Sequence, residues 1–340
     1  NLENAPLQPL QSSAFNAHSS VFKAISERDI LLYYPYHTFN HMLEYVRQAA
    51  FDPKVTQIKI NIYRVANRSR LISSLLSAVK NGKKITVMVE LKARFDEQNN
   101  IEWAKLLSEA GIKVMVGIPA LKVHSKLCVI HRKEKGKIVK YAHIGTGNFH
   151  EKTARIYTDF SLFTKHNEIC NECDSVFKFI ESSYRPFHFE HLMISPVNAR
   201  DRILDLIDKE VRNAEQGKIA RITIKVNNLV DKQLIDKLYF AARHGVKIRI
   251  ILRGMCSLVP GLPRFSDNIK VNSIVDRFLE HPRVMVFENN GDPQVFISSA
   301  DWMTRNLDHR VEVAVPIYDE SLKRIILDIL ELQFRDRSKA

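Results

Sequence analysis

The sequence lacks any apolar run long enough to cross a membrane, since no stretch approaches the roughly 18 to 20 uninterrupted apolar residues that a spanning helix needs. It also lacks the succession of basic, apolar and small residues that a secretory signal peptide would place at its start. With 45% hydrophobic residues in a chain of 340, apolar side chains still suffice for sizeable cores. We therefore expect a globular cytoplasmic protein.

Cysteine is scarce, the full set being Cys128, Cys170, Cys173 and Cys256. Their spacing shows no disulfide framework, which is consistent with a reducing compartment. Cys170 and Cys173 form a C-x-x-C motif, but neither a second cysteine pair nor a nearby histidine pair completes a zinc site. A metal or redox function at this motif is therefore not favoured.

Acidic residues are outnumbered, because 51 Lys and Arg face 38 Asp and Glu and leave a net charge of +13. Such an excess favours a polyanionic partner, which could be nucleic acid, anionic lipid or a phosphate polymer. Composition alone does not choose among these three. The aromatic residues are not clustered as base-stacking platforms and no helical pattern is densely basic, so we expect no nucleic-acid partner.

A run of β-forming residues, Ala120–Ile130, carries one histidine and one lysine two positions apart, His124 and Lys126. Alternation along a strand would point both side chains to the same face. An imidazole beside a fixed positive charge suits attack on phosphorus, because the ring nitrogen can accept the phosphoryl group while the ammonium holds its oxygens. Taken alone, an H-x-K pattern is weak, and a half-buried strand with an incidental histidine is the plainer interpretation.

The chain repeats this pattern, since His281 and Arg283 recur 157 positions after His124 and Lys126. Two more stretches repeat at similar offsets, Leu71–Val89 with Leu234–Leu252 and Ile144–Phe149 with Ile297–Trp302, and the latter sets Asp159 opposite Glu312. Local patterns predict strands at Gln57–Arg64, Lys84–Leu91 and Arg221–Val226 and helices at Arg70–Lys80, Asn167–Tyr184 and Ala199–Gln216. These repeats predict two homologous α/β halves, each with a strand, a helix and a strand before the H-x-[KR] stretch.

The halves should divide near residue 190. We expect a leader or truncated linker over residues 1–27, a first catalytic domain over 28–190 and a second over 191–340. The chain begins with Asn and its first 20 residues are rich in Gln, Ser and Asn, so we also expect it to be a fragment of a longer protein.

Tandem H-x-K-type halves with Gly145–Asn148 downstream of the first resemble the phospholipase D superfamily. Within this superfamily, the sequence resembles the C-terminal catalytic half of bacterial polyphosphate kinase (type 1). Seven blocks from about residue 20 to the C-terminus carry this resemblance: Asp29–Tyr36, Ile62–Arg64, Glu90–Asp96, Val123–Lys126, Leu252–Gly254, Ser273–His281 and Asp301–Arg310.

The resemblance implies an α/β fold of two tandem phospholipase D-like domains, each a mixed β-sheet flanked by helices, with the active site between the halves. It implies a kinase that reversibly transfers the γ-phosphate of ATP to polyphosphate through a phosphohistidine, with Mg²⁺ as cofactor. It further implies ATP and polyphosphate as partners, a homo-oligomer, and peripheral association of the full-length protein with the inner membrane face. Because the family's N-terminal and head domains are absent from this chain, we expect the fragment alone to turn over poorly.

The resemblance also assigns residues. His124 matches the phosphorylated histidine and His281 the second active-site histidine. Tyr157 matches the residue that packs on adenine, and Arg64, Arg94, Arg253 and Arg310 match the arginines that line the phosphate tunnel. Arg64 and Arg94 are those associated with the magnesium-bearing phosphates. Since an arginine only donates, that association must pass through phosphate oxygens or water.

One departure from the superfamily pattern matters. The diesterase motif places an aspartate five residues after its lysine, and that position is His131 in the first copy and Glu288 in the second. The missing aspartate argues against phospholipase or nuclease activity.

Two alternative functions stay open. One is a phospholipase D-type phosphodiesterase, which would hydrolyse a generic diester without ATP. The other is a non-enzymatic polyanion or nucleic-acid binder, whose binding would depend on salt.

Overall fold

The computed structural model describes residues 5–64, 69–91, 97–118 and 120–338. The chain forms two compact units, Asn1–His191 and Leu192–Ala340. Within the described parts, every helix is too short or too polar to span a bilayer.

The first unit alternates strands and helices after two short N-terminal helices. In chain order its elements are α1 Ser13–Asn16, α2 Val21–Glu27, β1 Ile30–Tyr34, α3 Asn40–Phe51, β2 Val55–Ile62, α4 Arg70–Lys80, β3 Lys84–Val89, α5 Glu97–Glu109, β4 Lys113–Val116, β5 Lys122–Val123, β6 Leu127–Glu134, β7 Lys137–Gly145, a 3-10 turn Thr153–Arg155, β8 Tyr157–Thr164 and α6 Asn167–Glu181.

Its sheet has the strand order β1, β8, β7, β6, β2, β3, β4. β2, β3 and β4 run parallel, whereas the other neighbours are antiparallel. As a result, the carboxyl ends of β2, β3 and β7 share one edge of the sheet with the amino ends of β6 and β8. Residues that follow or precede these strands are therefore brought together at that edge, although they are distant in sequence.

Helix α4 illustrates how the sequence sets these elements. The Ser69 hydroxyl accepts a hydrogen bond from the Leu71 N–H and so caps the helix. Leu71, Ile72, Leu75 and Ala78 then form its buried face. The helix ends at Asn81-Gly82, where Gly82 adopts a φ of +74° that suits glycine and turns the chain into β3.

Residues of the expected leader contribute to the core of this unit. Phe15 in α1 and Val21, Phe22 and Ile25 in α2 are buried in the same apolar cluster as residues of α3 and the sheet. The buried apolar side chains of α1 and α2 therefore make these two helices part of the first unit's core.

The second unit repeats the plan. Its elements are β9 Met193–Ser195, α7 Ala199–Glu215, β10 Arg221–Val226, α8 Lys232–Arg243, β11 Lys247–Leu252, β12 Ile269–Asn272, β13 Leu279–Glu280, β14 Arg283–Phe287, a 3-10 turn Asn289–Gly291, β15 Gln294–Ser298, α9 Thr304–Asp308, β16 Arg310–Ile317 and α10 Glu320–Arg335.

Its sheet order, β9, β16, β15, β14, β10, β11, β12, matches that of the first unit strand for strand. β10, β11 and β12 run parallel and the other neighbours antiparallel, as in the first unit. The predicted α/β architecture of two tandem units, each with a mixed sheet flanked by helices, is confirmed.

The repeat extends to individual hydrogen bonds. In the first unit the Thr146 hydroxyl donates to Asp159 Oδ1 at 2.6 Å and accepts from the Phe160 N–H at 3.0 Å. In the second unit the Ser299 hydroxyl donates to Glu312 and accepts from the Val313 N–H at 3.1 Å. The alignment that set Asp159 opposite Glu312 therefore corresponds to a hydroxyl–carboxylate arrangement that both units share. It lies next to the turn that follows β7 in the first unit and β15 in the second.

A buried carboxylate on α6 joins the helix to the sheet of the first unit. Asp174 Oδ1 lies 2.5 Å from Lys59 Nζ and 3.1 Å from His131 Nε2, and Oδ2 lies 3.1 Å from Lys140 Nζ. His131 is the position at which the diesterase motif carries aspartate. Burial alone would raise the pKa of Asp174, but the hydrogen bonds from His131 and Lys59 and their charges hold it far below the usual carboxyl value.

We predict that Asp174→Asn destabilises the first unit by about 3 kcal/mol, because it leaves buried cations without their counter-charge. Since the pKa of Asp174 is lowered by folding, its contribution is complete above the ordinary carboxyl pKa of about 4 and is lost as the pH falls below it. Denaturant unfolding between pH 3 and 8 should show a flatter acid limb for the variant. Glu181→Gln on the same helix, which removes an exposed pair with Lys113, is the control and should cost less than about 1 kcal/mol; equal losses would contradict the prediction.

Candidate active site

His124 lies in a loop at the edge of the first sheet where β2, β3 and β7 end and β6 and β8 begin. We call this edge, and the corresponding edge of the second sheet, the functional edge of each unit. The prediction of one continuous strand over Ala120–Ile130 was wrong, because β5 ends at Val123 and β6 begins at Leu127. Side chains at this edge bind the intervening residues. The Val123 N–H donates to Glu90 Oε2 at 2.8 Å, and the Ser125 hydroxyl accepts from Asn61 Nδ2 at 2.6 Å.

The far end of the loop is fixed by the sheet itself, since the Gly145 N–H donates to the Lys126 carbonyl at 2.9 Å. His124 is thus held between anchored neighbours on both sides. Glu90, which follows β3, is 4% exposed. A buried carboxylate that accepts a backbone N–H next to the histidine restrains the backbone at that residue far more than an exposed loop would.

An aromatic ring lies beside the imidazole of His124, and a buried lysine contacts the backbone of the same residue. The ring of Tyr63, the residue after β2, meets the His124 ring edge-on with centroids 4.9 Å apart. Lys126 is 1% exposed, its Nζ lies 5.5 Å from the Tyr63 ring centroid, and it donates to the backbone carbonyl of His124. The cation–aromatic contact and the carbonyl offset part of the cost of burying the ammonium next to the histidine.

Asn100 braces this arrangement from α5. Its side-chain Nδ2 donates to the carbonyl oxygens of Tyr63 at 2.9 Å and Glu90 at 2.8 Å, and the residue is fully buried. One amide therefore ties the carboxyl ends of β2 and β3 together. The residues that flank His124 depend on this link for their spacing.

The turn after β7 completes the edge of the first unit. Gly147 packs so closely on Asp159 that an added Cβ would lie 2.2 Å from the carboxylate Oδ2. No other residue fits there without moving the acid or the turn. Tyr157, the predicted adenine-packing residue, is half-buried and is the first residue of β8, at this same edge.

His281 occupies the equivalent loop of the second unit, between β13 and β14. The guanidinium NH1 of Arg283 lies 2.9 Å from His281 Nε2 and 3.4 Å from Nδ1, and it also donates to the His281 carbonyl at 3.1 Å. Two short distances to both ring nitrogens place the cation over the face of the imidazole. Arg283 is 5% exposed, so a buried, permanent charge defines one side of this ring.

Asp301 compensates that charge. Its two carboxylate oxygens each accept from Arg283 at 3.2 Å, and the acid also accepts the Asn227 N–H at 2.8 Å and Asn228 Nδ2 at 3.2 Å. Burial alone would raise the pKa of Asp301, but the charge of Arg283 and these hydrogen bonds lower it well below its usual value. The acid therefore stays ionised and keeps the guanidinium in place.

Helix α10 supports the residue before His281. Lys225 on β10 is 2% exposed and pairs with Glu280. Gln333 near the end of α10 accepts from Lys225 Nζ at 2.8 Å and donates to Glu280 Oε2 at 2.8 Å. The loop that carries His281 is thus anchored on both sides, as is the loop of His124.

The predicted arginines lie as follows. Arg64 comes shortly after β2 and Arg253 directly after β11, each at the functional edge of its unit. Arg310 is the first residue of β16. Because β16 runs antiparallel to β15, its amino end still lies at that edge. Arg94 falls outside the described residues.

Several supporting residues carried no assigned role in the sequence analysis: Tyr63, Glu90, Asn100, Asn227 and Asp301. Four of them lie directly after a strand or in the loop that follows it, where α/β folds collect their ligand sites. The available signal was a polar or aromatic residue placed immediately after an apolar strand. Asn100 gave no such signal, since it lies near the amino end of a polar helix.

In the parts of the chain that the structure describes, there is no group of three or more His, Cys, Asp and Glu side chains that could hold a metal. The functional edges instead carry cations, among them Lys126, Arg253, Arg283 and Arg310. Such a set fits bound phosphates better than a bare metal ion.

Comparison with known proteins accounts for these features. Residues 20–186 match the family model described as polyphosphate kinase C-terminal domain 1, and residues 192–340 match that of C-terminal domain 2. The polyphosphate kinase of Vibrio parahaemolyticus is 61% identical over 339 residues, which cover 100% of this chain and 49% of the relative. This chain spans about half the length of the curated relatives that it matches.

Solved structures agree with the sequence matches. The crystal structure of polyphosphate kinase from Porphyromonas gingivalis has a TM-score of 0.93 and 40% identity, and the match covers 99% of this chain and 52% of that one. Phosphatidylserine synthase from Haemophilus influenzae has a TM-score of 0.59 at 10% identity, over 92% of this chain and 87% of that one, and shares the fold alone. The resemblance carried by the seven sequence blocks is confirmed. The chain belongs to the polyphosphate kinase family and contains its two C-terminal domains.

Proposed function

We propose that these two domains carry out the phosphoryl transfer of a polyphosphate kinase, in which the γ-phosphate of ATP passes reversibly to polyphosphate through a phosphohistidine at His124. The observation that carries this proposal is the anchored loop of His124, in which the imidazole meets the Tyr63 ring and the backbone carbonyl accepts from the buried Lys126 ammonium. A rigidly placed nitrogen next to a cation is what attack on a phosphoryl group requires.

In the proposed reaction, a lone pair on a neutral His124 ring nitrogen attacks the γ-phosphorus in line. The new P–N bond forms as the P–O bond to ADP breaks, and ADP leaves with that electron pair. A terminal oxygen of polyphosphate then attacks the phosphohistidine, so that a P–O bond replaces the P–N bond and the imidazole is restored. The chain grows by one phosphate, and the reverse sequence regenerates ATP.

Positioning and charge neutralisation do most of the work in such a transfer. In this proposal Lys126 binds the oxygens of the phosphoryl group during its transfer. Arg253 and Arg310 bind the phosphates of the nucleotide or the polymer. Mg²⁺ enters on the phosphates of ATP, as part of the substrate. Arg64 and Arg94 would then contact magnesium-bearing phosphates rather than the ion.

Two further residues take part in this proposal. Tyr157 packs on the adenine, for which a half-buried aromatic ring at the sheet edge is suited. His281 assists the departure of ADP, either by donating a proton or by stabilising the charge that develops on the leaving oxygen.

Polyphosphate, with about one negative charge per unit, is a natural partner for a chain of net charge +13. A cytoplasmic homo-oligomer, peripherally associated with the inner membrane face, is also part of this proposal.

The two histidines should fail differently when replaced in the full-length protein. With γ-labelled ATP and Mg²⁺, His124→Ala should abolish acid-labile, base-stable label, because the accepting nitrogen is gone. His281→Ala should slow labelling by about 10² to 10⁴ in rate, while the label that forms still maps to residue 124 by peptide analysis.

His244→Ala is the control for this experiment, since His244 follows α8 at the opposite edge of the second sheet and contacts the Phe240 ring with centroids 4.1 Å apart. It should label like wild type. Label on His281 in the wild type, or normal labelling of His124→Ala, would show that the roles of the two halves are reversed.

Replacing Arg253 or Arg310 by Lys should lower kcat/KM for ATP nearly as much as replacement by Ala. A lysine keeps the charge, but it loses the planar fork that binds two phosphate oxygens at once. For Arg253 it also loses the Nε–H that donates to Asn227 Oδ1 at 2.5 Å. Steady-state kinetics of the four variants checks this. Near-wild-type rates for both Lys variants would mean that these arginines supply only a diffuse positive field.

A further inference from the structure

Asn227 is a buried residue that lies directly after β10 and is 2% exposed. Each polar group of this residue that the structure pairs goes to the functional edge of the second unit. Its side-chain Oδ1 accepts from Arg253 Nε at 2.5 Å, and its Nδ2 donates to the His281 carbonyl at 3.1 Å. Its backbone N–H donates to Asp301 Oδ1 at 2.8 Å.

These contacts join groups that have separate tasks in the proposed reaction. Arg253 is assigned to phosphate, whereas His281 is assigned to the departure of ADP. Asp301 adds a second route between them, because it holds the Arg283 guanidinium that lies over the His281 ring. A shift of Asn227 would therefore move the phosphate-binding arginine and the histidine together.

In the first unit, Tyr63 occupies the position that corresponds to Asn227 and also contacts the histidine loop. β2 and β10 end in the same register with their parallel partners, Ile62 opposite Val89 and Val226 opposite Leu252. The next residue is Tyr63 in the first unit and Asn227 in the second. Tyr63 contacts His124 and Lys126, so in both units the residue after this strand touches the loop of the histidine.

Close packing fixes Asn227 in this place. A Cβ added to Gly254, the residue after Arg253, would lie 2.5 Å from the Asn227 carbonyl oxygen and 2.6 Å from Asn228 Oδ1. The Met255 N–H also donates to Asn228 Oδ1 at 3.0 Å. The chain after β11 is therefore packed closely against the chain after β10, which fixes the backbone next to Arg253 relative to Asn227.

We propose that Asn227 is a positioning residue that couples Arg253 to His281, so that phosphate bound by the arginine and the histidine that serves the leaving group are placed as one unit. This inference rests on the proposed function of the two domains. An asparagine suits the task because its side chain accepts with the oxygen and donates with the nitrogen. An ionised aspartate of the same shape accepts only.

The isosteric change Asn227→Asp therefore separates the two arms. It keeps an acceptor for Arg253 and removes the donor to the His281 carbonyl. In the full-length protein, kcat for ATP-dependent polyphosphate synthesis should fall by about 5- to 10-fold, the scale of one lost hydrogen bond. KM for ATP should change less than about 3-fold, since the contact with Arg253 persists. Asn227→Ala, which removes both arms, should lower kcat and raise KM together.

A double-mutant cycle tests whether Asn227 acts through His281. Added to a His281→Ala background, Asn227→Asp should change kcat by less than about 2-fold. Asn268→Asp is the matched control. It removes a side-chain donor to the Ala242 carbonyl at 3.0 Å and lies before β12, at the opposite edge of the sheet. It should stay within about 2-fold of wild type in kcat and KM.

Effects of Asn227→Asp that are equally large with and without His281 would overturn the inference, as would wild-type kinetics of the variant. Thermal unfolding identifies a variant that fails to fold. In that event, the cycle between Arg253→Ala and His281→Ala decides, because the coupling predicts effects that do not add, whereas additive effects overturn it. A wild-type protein without ATP-dependent synthesis would instead refute the proposed function, and an active wild type with additive cycles would refute the coupling alone.

Discussion

Each unit buries a basic side chain against its histidine loop, and much of the local structure makes that burial tolerable. In the first unit the Lys126 ammonium donates to the His124 carbonyl and faces the Tyr63 ring. In the second, Asp301 neutralises the Arg283 guanidinium through two parallel contacts. A buried charge without such partners would cost several kcal/mol. The residues after the neighbouring strands are therefore constrained by the cation as much as by substrate.

The fold followed from the sequence because its apolar periods agree with its turn residues. The predicted helix Arg70–Lys80 and strand Arg221–Val226 have the same bounds in the structure, and the predicted strand Lys84–Leu91 ends two residues early at Val89. Comparing the chain with itself gave the tandem units, since the offsets between repeats differ only by loop lengths. The helices within residues 1–27 escaped prediction, because a mostly polar stretch separates Phe15 from Val21 and Phe22 and their burial depends on the rest of the first unit.

The candidate site was only partly accessible from sequence. The H-x-[KR] pairs located both histidines, yet the strand assigned to His124 and Lys126 was wrong, because Glu90 and Asn61 bind the loop residues from the side. Such bonds join positions 33 and 64 residues apart, which no local pattern reveals. Asn227 follows a predicted strand, but only the structure shows that its side chain reaches both Arg253 and His281.

The differences between the units bear on why one histidine would be the nucleophile. At the equivalent positions, Lys126 becomes Arg283, Tyr63 becomes Asn227 and Asn148 becomes Asp301. In the second unit the guanidinium lies within 3.4 Å of both nitrogens of His281 and so crowds the ring with positive charge. In the first unit the ammonium donates to the backbone of His124, and the ring contacts an aromatic edge. A nitrogen that must offer its lone pair to phosphorus is better served by the first environment, whereas a ring held against a fixed cation is better suited to stabilising negative charge on a leaving group.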